Sequence, residues 1–291
     1  MKITDIFKQK ERSYSFEFFP PKDEISAVEF GINAGQIMKL SPSFISVTYG
    51  AGGSTQAKTF SLVDFFQNKL GLTCMAHYTC VHTTREKVHS DLQYLKNINI
   101  ENLMLLRGDA PKELPVGTNF TKDFSHASDL IAYARKHFSF SIGAAAYPEK
   151  HIEAVHNGNP LSHEDIKIQA GADFLITQMF FDNSYYFSFV EKVRKAGIKN
   201  RIIPGIMPII NFKQIQKFAE ISNAHIPEEI TTAFLPYKDD EKKAYQLGVD
   251  LAVKQCVGLL EKGAPGIHFY TLNKSRAVVE IFESLIKKYP E

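Results

Sequence analysis

The chain has 291 residues, of which 44% are hydrophobic and 23% charged, the ordinary composition of a globular protein long enough for one large α/β domain or two modest ones. Its 34 Lys plus Arg against 32 Asp plus Glu leave a net charge of +2, which argues neither for nor against a polyanionic partner, and no basic run reads as a nucleic-acid tail. The opening "MKITDIFKQKERSYSF" lacks the apolar core of a signal peptide, and no segment reaches membrane-spanning length.

Short β-rich runs then alternate with longer amphipathic ones. In chain order the strand candidates are "YSFEFF", "SFISVTYG", "CMAHYTC", "NLMLLRG", "SIGAAAYP", "FLITQMFF", "RIIPGIMP" and "GIHFYTL". Helical spacing marks "EISAVEFGINAGQIMKL", "TFSLVDFFQNKL" and "HASDLIAYARKHF", and "KSRAVVEIFESLIKKY" after the last strand. One connection is long, from about Asn223 to Gly263, with room for an extra helical insertion before the eighth strand. Eight consecutive βα units without a flexible linker predict a single-domain (β/α)8 barrel. A doubly wound sheet uses the same alternation, but no G-x-G-x-x-G turn follows the first strand and the glycines of "YGAGGS" do not fit that spacing. Cys74, Cys80 and Cys256 form neither a metal-spaced cluster nor a disulfide framework, which points to a reducing cytoplasm.

Side chains alternate along a strand, so Ser15, Glu17 and Phe19 share one face, and Phe16 and Phe18 the other. With the phenylalanines packed against helices, Glu17 points into the barrel. Polar residues recur the same way in other strands: Ser46 and Thr48, His77 and Thr79, Arg107 and Asp109, Tyr147, Gln178, then His268 and Tyr270. Most lie toward the C-terminal strand ends, where barrel enzymes place their chemistry. Read alone, several have ordinary structural uses. Glu17 would be a buried carboxylate paired with a neighbouring Arg or Lys, Asp109 a turn aspartate, Gln178 a core amide and Phe218 a core aromatic.

The runs "SFEFFPPK", "SVTYGAGGS", "LLRGD", "AAYPE", "AGADFLITQMFFD", "IIPGIMPIINFKQIQKFA" and "HFYTLN" occur in an order that resembles methylenetetrahydrofolate reductase of the short bacterial type, from about Ser13 to Asn273. The resemblance implies a (β/α)8 barrel that binds FAD without a Rossmann fold, over 1–291 as one catalytic domain with no regulatory domain. It implies a two-step relay in which NADH or NADPH reduces FAD and leaves. Methylenetetrahydrofolate then binds at the same face and is reduced to methyltetrahydrofolate, feeding methionine synthesis, in a protein expected to be a homo-oligomer with no nucleic-acid or membrane partner.

Residue by residue, Glu17 matches the family's proton donor, and burial among phenylalanines would disfavour its charged form and keep it an acid near neutral pH. Asp109 matches an aspartate beside flavin and folate, whose charge would stabilise a cationic iminium. Gln178, Phe218, Tyr270 and Lys274 form the substrate-binding set. The FAD set is Thr48, His77, Arg107, Gly108, Asp109, His126, Ala127, Ala145, Tyr147, His151, His163 and Lys167. Arg107, His151 and Lys167 suit phosphate or ribose by charge, and Gly108 close backbone approach. His151, His156 and His163 have no carboxylate or thiol to complete a metal site, so no metal is expected. The chain departs from the family pattern at Pro160 and His163, at His126 and at Lys274, which stands where an arginine is frequent. Those departures keep two other readings open: direct hydride transfer from nicotinamide to the folate without flavin, and a non-catalytic barrel acting as an assembly partner.

Overall fold

The computed structural model describes residues 1–49, 56–81, 83–109, 121–149 and 163–291, by backbone alone at 163 and 164. All eight expected strands form, and every pairing between them is parallel: β1 (Ser13–Phe18), β2 (Phe44–Val47), β3 (Cys74–Thr79), β4 (Asn102–Leu106), β5 (Ser141–Ala146) and β6 (Phe174–Thr177). The seventh comes in two pieces, β7 (Arg201–Ile203) and β8 (Gly205–Ile206), and β9 (Gly266–Tyr270) is the eighth. Consecutive strands are neighbours, and β9 returns to β1, pairing Ser15 with His268 and Glu17 with Tyr270.

The split of the seventh strand explains how the ring closes. Its first piece pairs with β6 and its second with β9. Pro204 between them has no N–H to give, but its carbonyl accepts the His268 N–H at 2.9 Å. Thr177 fills the gap on the β6 side: its hydroxyl accepts the Gly205 N–H at 2.9 Å, and its carbonyl accepts the Tyr270 hydroxyl at 2.6 Å. Only glycine fits between them, because a Cβ on residue 205 would lie 2.2 Å from the Thr177 carbonyl oxygen.

The helices ring the barrel because one stripe of each is apolar. After β1 comes α2 (Glu24–Met38), started by a capping box in which the Ser26 N–H donates to Asp23 and the Asp23 N–H to Ser26. Then follow α3 (Gln56–Asp64), which runs into a π-helical turn at Phe65–Lys69, α4 (Arg85–Asn97), α5 (Ala127–His137), α6 (His163–Gln169), α7 (Asn183–Lys195) and α8 (Phe212–Ser222). The insertion before the last strand is α9 (Glu228–Phe234) and α10 (Glu241–Glu261), and α11 (Arg276–Ile286) ends the fold. Tyr14, Phe16 and Phe18 face outward into this layer, Phe18 meeting Phe30 of α2 at 5.5 Å and Phe66 at 5.6 Å.

One element was not anticipated. A seven-residue helix, α1 (Ile3–Gln9), precedes β1 and is too short to show periodicity. It plugs the N-terminal end of the barrel, where Ile3 and Phe7 pack with Phe44, Met75, Met104, Phe174, Ile176 and Ile203. Strand side chains satisfy its ends: Asn102 accepts the Ile3 N–H at 2.7 Å, Ser141 accepts that of Thr4, and Arg201 donates to the Phe7 and Lys10 carbonyls. The interior is therefore apolar below and polar above, so the chemistry is confined to the C-terminal mouth.

Replacing Gly205 by Ala forces the Thr177 carbonyl or the Tyr270 ring to move. The expected loss of stability is roughly 1–3 kcal/mol, the usual range for an overpacked core. Thermal unfolding should show a melting temperature several degrees lower, and an unchanged one would mean that this closure is not under tension.

Candidate active site

At the polar end of the interior, four strands bring one carboxylate against two imidazoles and two hydroxyls. Glu17 of β1 points inward and is buried, as its strand parity requires. Its Oε2 lies 3.4 Å from His77 Nε2 of β3 and 3.6 Å from His268 Nε2 of β9, and accepts a long hydrogen bond from Ser46 Oγ of β2 at 3.5 Å. The other ring nitrogen of His268, Nδ1, shares a 2.8 Å hydrogen bond with Ser15 Oγ. When Ser15 donates that bond, the His268 ring proton sits on Nε2, facing the carboxylate.

This corrects one expectation about Glu17. Its side chain is not among phenylalanines, because Phe16 and Phe18 lie on the opposite face of the strand. Burial does oppose its charge, but His268, His77 and Ser46 together outweigh that cost and hold the carboxyl below its ordinary value near 4.5. His77 is driven the other way round. Burial, with the charge of His268 adding to it, keeps its imidazole below the usual 6.5 against the pull of Glu17. The set thus holds an ionised Glu17 beside a neutral His77.

Tyr270 is the next inward residue of β9. Its ring meets that of His268 edge-on at 5.3 Å, its hydroxyl is committed to Thr177, and burial beside Glu17 and Tyr147 pushes its phenol well above the ordinary range. The turn that follows is bolted to the end of β1. Thr271 Oγ1 donates to the Glu17 carbonyl at 2.6 Å, and the Asn273 amide brackets Phe19, accepting from its N–H and donating to its carbonyl. Leu272 and Asn273 take left-handed backbone, with φ of 49° and 59°, to make this turn. It leaves Lys274 exposed.

Around this centre the other expected residues fall at the same end of the barrel. Thr48 is buried just past β2, its N–H on the Phe18 carbonyl and its own carbonyl accepting from Thr59. Arg107, Gly108 and Asp109 follow β4, and Asp109 is exposed. Gly108 has φ of +83°, and a Cβ there would meet Val81 at 2.6 Å and Thr79 at 3.0 Å, so only glycine lets the backbone pass this close. Past the start of β5, the Ala145 carbonyl accepts Lys167 Nζ at 2.7 Å, and the same ammonium lies 5.3 Å from the centre of the Tyr147 ring. Gln178 directly follows β6, its amide oxygen accepting the Met179 N–H at 2.9 Å. Phe218 of α8 is half-buried in a small cluster with Met179, Phe181 and Ile215, which Tyr270 also touches. His126 stands exposed before α5, and Ala127 is buried at its first turn. His151 and Pro160 lie outside the described residues, as does the His163 side chain.

Among the described residues at this end, His77 Nε2, which lies 3.4 Å from the Glu17 carboxylate, and Thr79 Oγ1 are buried without a hydrogen bond. Buried polar atoms of this kind mark a place where a ligand completes the bonding. Ser15, Ser46 and His268 were not among the expected site residues. Their signal was available: they share strand parity with Glu17, and the register sets Ser46 and Tyr270 beside Glu17 and His268 beside Ser15.

Comparison with known proteins places this geometry in a family. The family described as methylenetetrahydrofolate reductase matches residues 2–286. "Methylenetetrahydrofolate reductase (NADH) 1" of Arabidopsis thaliana is 34% identical over 98% of this chain, which covers 50% of that protein, so the chain spans about half the length of such relatives. "5,10-Methylenetetrahydrofolate reductase" of Escherichia coli (strain K12) is 35% identical over 95% of this chain and 92% of its own. Among solved structures, an uncharacterised protein from Clostridium thermocellum that binds two copies of 5-methyl-5,6,7,8-tetrahydrofolic acid superposes with a TM-score of 0.63, at 16% identity over 99% of each chain, and shares the fold. With the family match running through every strand, this chain belongs to the methylenetetrahydrofolate reductase family.

Proposed function

We propose that the chain reduces methylenetetrahydrofolate to methyltetrahydrofolate, with NADH or NADPH as reductant and FAD as the bound carrier, in a ping-pong sequence at one face of the barrel mouth. The observation that carries this reading is the Glu17 carboxylate held inward by His77, His268 and Ser46 in a chain of this family. Bound FAD would supply hydride acceptance from nicotinamide and hydride donation to the folate.

The residues present fit such a group. His77 Nε2 and Thr79 Oγ1, neither of which makes a hydrogen bond, offer it polar contacts, and the Gly108 backbone lies where any side chain would be in the way. Thr48, His77, Arg107, Gly108, Asp109, His126, Ala127, Ala145, Tyr147 and Lys167 would hold it, with His151 and, at the start of α6, His163 completing the set. Gln178, Phe218, Tyr270 and Lys274 would hold the folate: the amide faces its polar edge, Phe218 stacks on a ring and the Lys274 ammonium pairs with an acidic tail. Three buried, unpaired cysteines accord with a reducing compartment.

Glu17 and Asp109 divide the electrostatic work. Asp109 places a negative charge where the substrate becomes cationic, and Glu17 delivers a proton to the substrate nitrogen so that its ring opens. Glu17 is ionised in these surroundings, so the proton has to reach it from solvent as the mouth fills. Filling the mouth removes water and raises the cost of the buried charge, which favours the protonated acid at Glu17. Tyr270, whose hydroxyl is already spent on Thr177, bounds the site and carries no proton.

The visible spectrum of the purified protein tests the cofactor. A flavin band, acquired as purified or on addition of FAD, should bleach anaerobically with NADH or NADPH and recover with methylenetetrahydrofolate; a protein that stays colourless with added FAD overturns the flavin reading. Replacing Glu17 by Gln should reduce folate turnover by about 10²–10⁴-fold, the usual scale of acid catalysis, while flavin reduction by nicotinamide persists. Equal loss in both half-reactions would mean that Glu17 shapes the site and donates no proton.

Protonation should also show in stability. With its pKa held down in the fold, His77 contributes stability that is complete above its ordinary 6.5 and is lost as pH falls below it; Glu17 adds a second loss below its ordinary 4.5. Denaturant unfolding between pH 7.5 and 5 should therefore fall more steeply in the wild type than in His77→Gln. Parallel curves would show that His77 titrates normally.

A further inference from the structure

Helix α8 is fastened to the barrel by very little that is directional. It packs on residues that follow β6 and β8, among them Met179, Phe181, Met207 and Ile209, and Phe218 joins the same cluster. Apolar contact of this kind has no preferred direction, so it does not fix where a helix stops along or about its axis. Among the described residues, one hydrogen bond ties the stretch 212–240, which holds α8 and α9, to a distant part of the chain. The His225 N–H donates to Glu149 Oε2 at 2.8 Å. Both ends of that bond are prepared. Helix α8 closes at Asn223 in left-handed backbone, φ 53°, and the Ala224 N–H turns back to the Ala219 carbonyl at 2.9 Å. Ala224 and Ile226 pack into the apolar cluster, while the His225 side chain between them is exposed. Glu149 stands in the turn after β5, close behind Tyr147. Its other oxygen, Oε1, is buried without a hydrogen bond. Burial and the like charge of Asp182, which caps α7, oppose its ionisation, with His225 pulling the other way. A carboxylate kept under those conditions is a cost to folding taken alone.

We propose that Glu149 is a positioning residue for the substrate: its carboxylate sets where α8 sits over the mouth, and so where the Phe218 ring meets the folate. The inference rests on the reading of Phe218 as a folate contact given above. A hydrogen bond to a carboxylate has the direction that the apolar cluster lacks, and it acts on the end of the helix that carries Phe218. The same turn holds Tyr147, whose ring lies 5.3 Å from the Lys167 ammonium on the cofactor side. One short turn thus anchors a cofactor-side ring and the substrate-side helix together.

Steady-state and half-reaction kinetics of the FAD-loaded protein test this. Glu149→Ala should raise KM for methylenetetrahydrofolate about 10-fold, the scale of one lost hydrogen bond to a charged group, with kcat and flavin reduction by nicotinamide each within about twofold. Glu149→Gln keeps an oxygen that can accept the His225 N–H and should recover most of that loss. His225→Ala keeps the N–H and should stay within about twofold of the wild type throughout. Amide hydrogen exchange over 219–226 should quicken in Glu149→Ala and in neither of the others. A KM or an exchange rate that Glu149→Ala leaves unmoved, an equal loss in both half-reactions, or no recovery with Gln would each overturn the proposal. A wild type that takes up flavin but does not turn over the folate would overturn the reading beneath it, a result distinct from any of these.

Discussion

A carboxylate inside a barrel is the constraint on which the rest of the structure turns. Burying a lone charge costs several kcal/mol even after the surroundings relax, on general grounds. Glu17 is tolerated because strands on both sides of β1 bring polar groups to it: Ser46 from β2, His77 from β3 and His268 from β9. Two of these partners come from one neighbouring edge and the third from the other. The site exists only if the ring is closed between β9 and β1.

Closure in turn depends on how the seventh strand is handled. A continuous strand there would pair evenly with both neighbours and leave no reason for Tyr270 to reach across. Pro204 divides it, Gly205 leaves space, and Thr177 collects the hydrogen bonds that the break releases. Tyr270 is pinned by that arrangement beside His268, whose ring is held from its other side by Ser15. Below them the interior is filled by Phe44, Met75, Met104, Phe174 and the plug α1, which keeps water out of the end where no chemistry occurs. The polar groups are thus fixed by an apolar floor, a divided wall and the Thr271–Asn273 turn above.

Much of this is legible in the sequence alone. Alternating strand and helix periods identify the barrel, and strand parity places Glu17 inside with Phe16 and Phe18 outside. The motifs "LLRGD" and "HFYTLN" bring Asp109, Tyr270 and Lys274 to the same end. What parity could not deliver is the sign of a protonation shift. Three phenylalanines next to Glu17 in the chain suggested an apolar surrounding and a raised acid. The residues next to it in space are His77 and His268, far away in sequence, and they reverse the direction. Helix α1 was missed because seven residues carry too little periodicity, and its ends are satisfied by side chains of distant strands. The role of Pro204 was equally hidden, since a proline in a strand says only that a hydrogen bond is absent and not which partner takes its place.

The resting barrel holds Glu17 ionised between its imidazoles. Carbon-13 NMR of protein labelled at the glutamate side-chain carboxyl, with Glu17→Gln to assign the resonance, reads that state directly. A carboxylate shift that persists from pH 7 down to 5 and moves only below the ordinary 4.5 is what this account predicts. A resonance already at the position of the protonated acid near pH 7 would contradict it, and would return Glu17 to the status of an acid raised by burial alone.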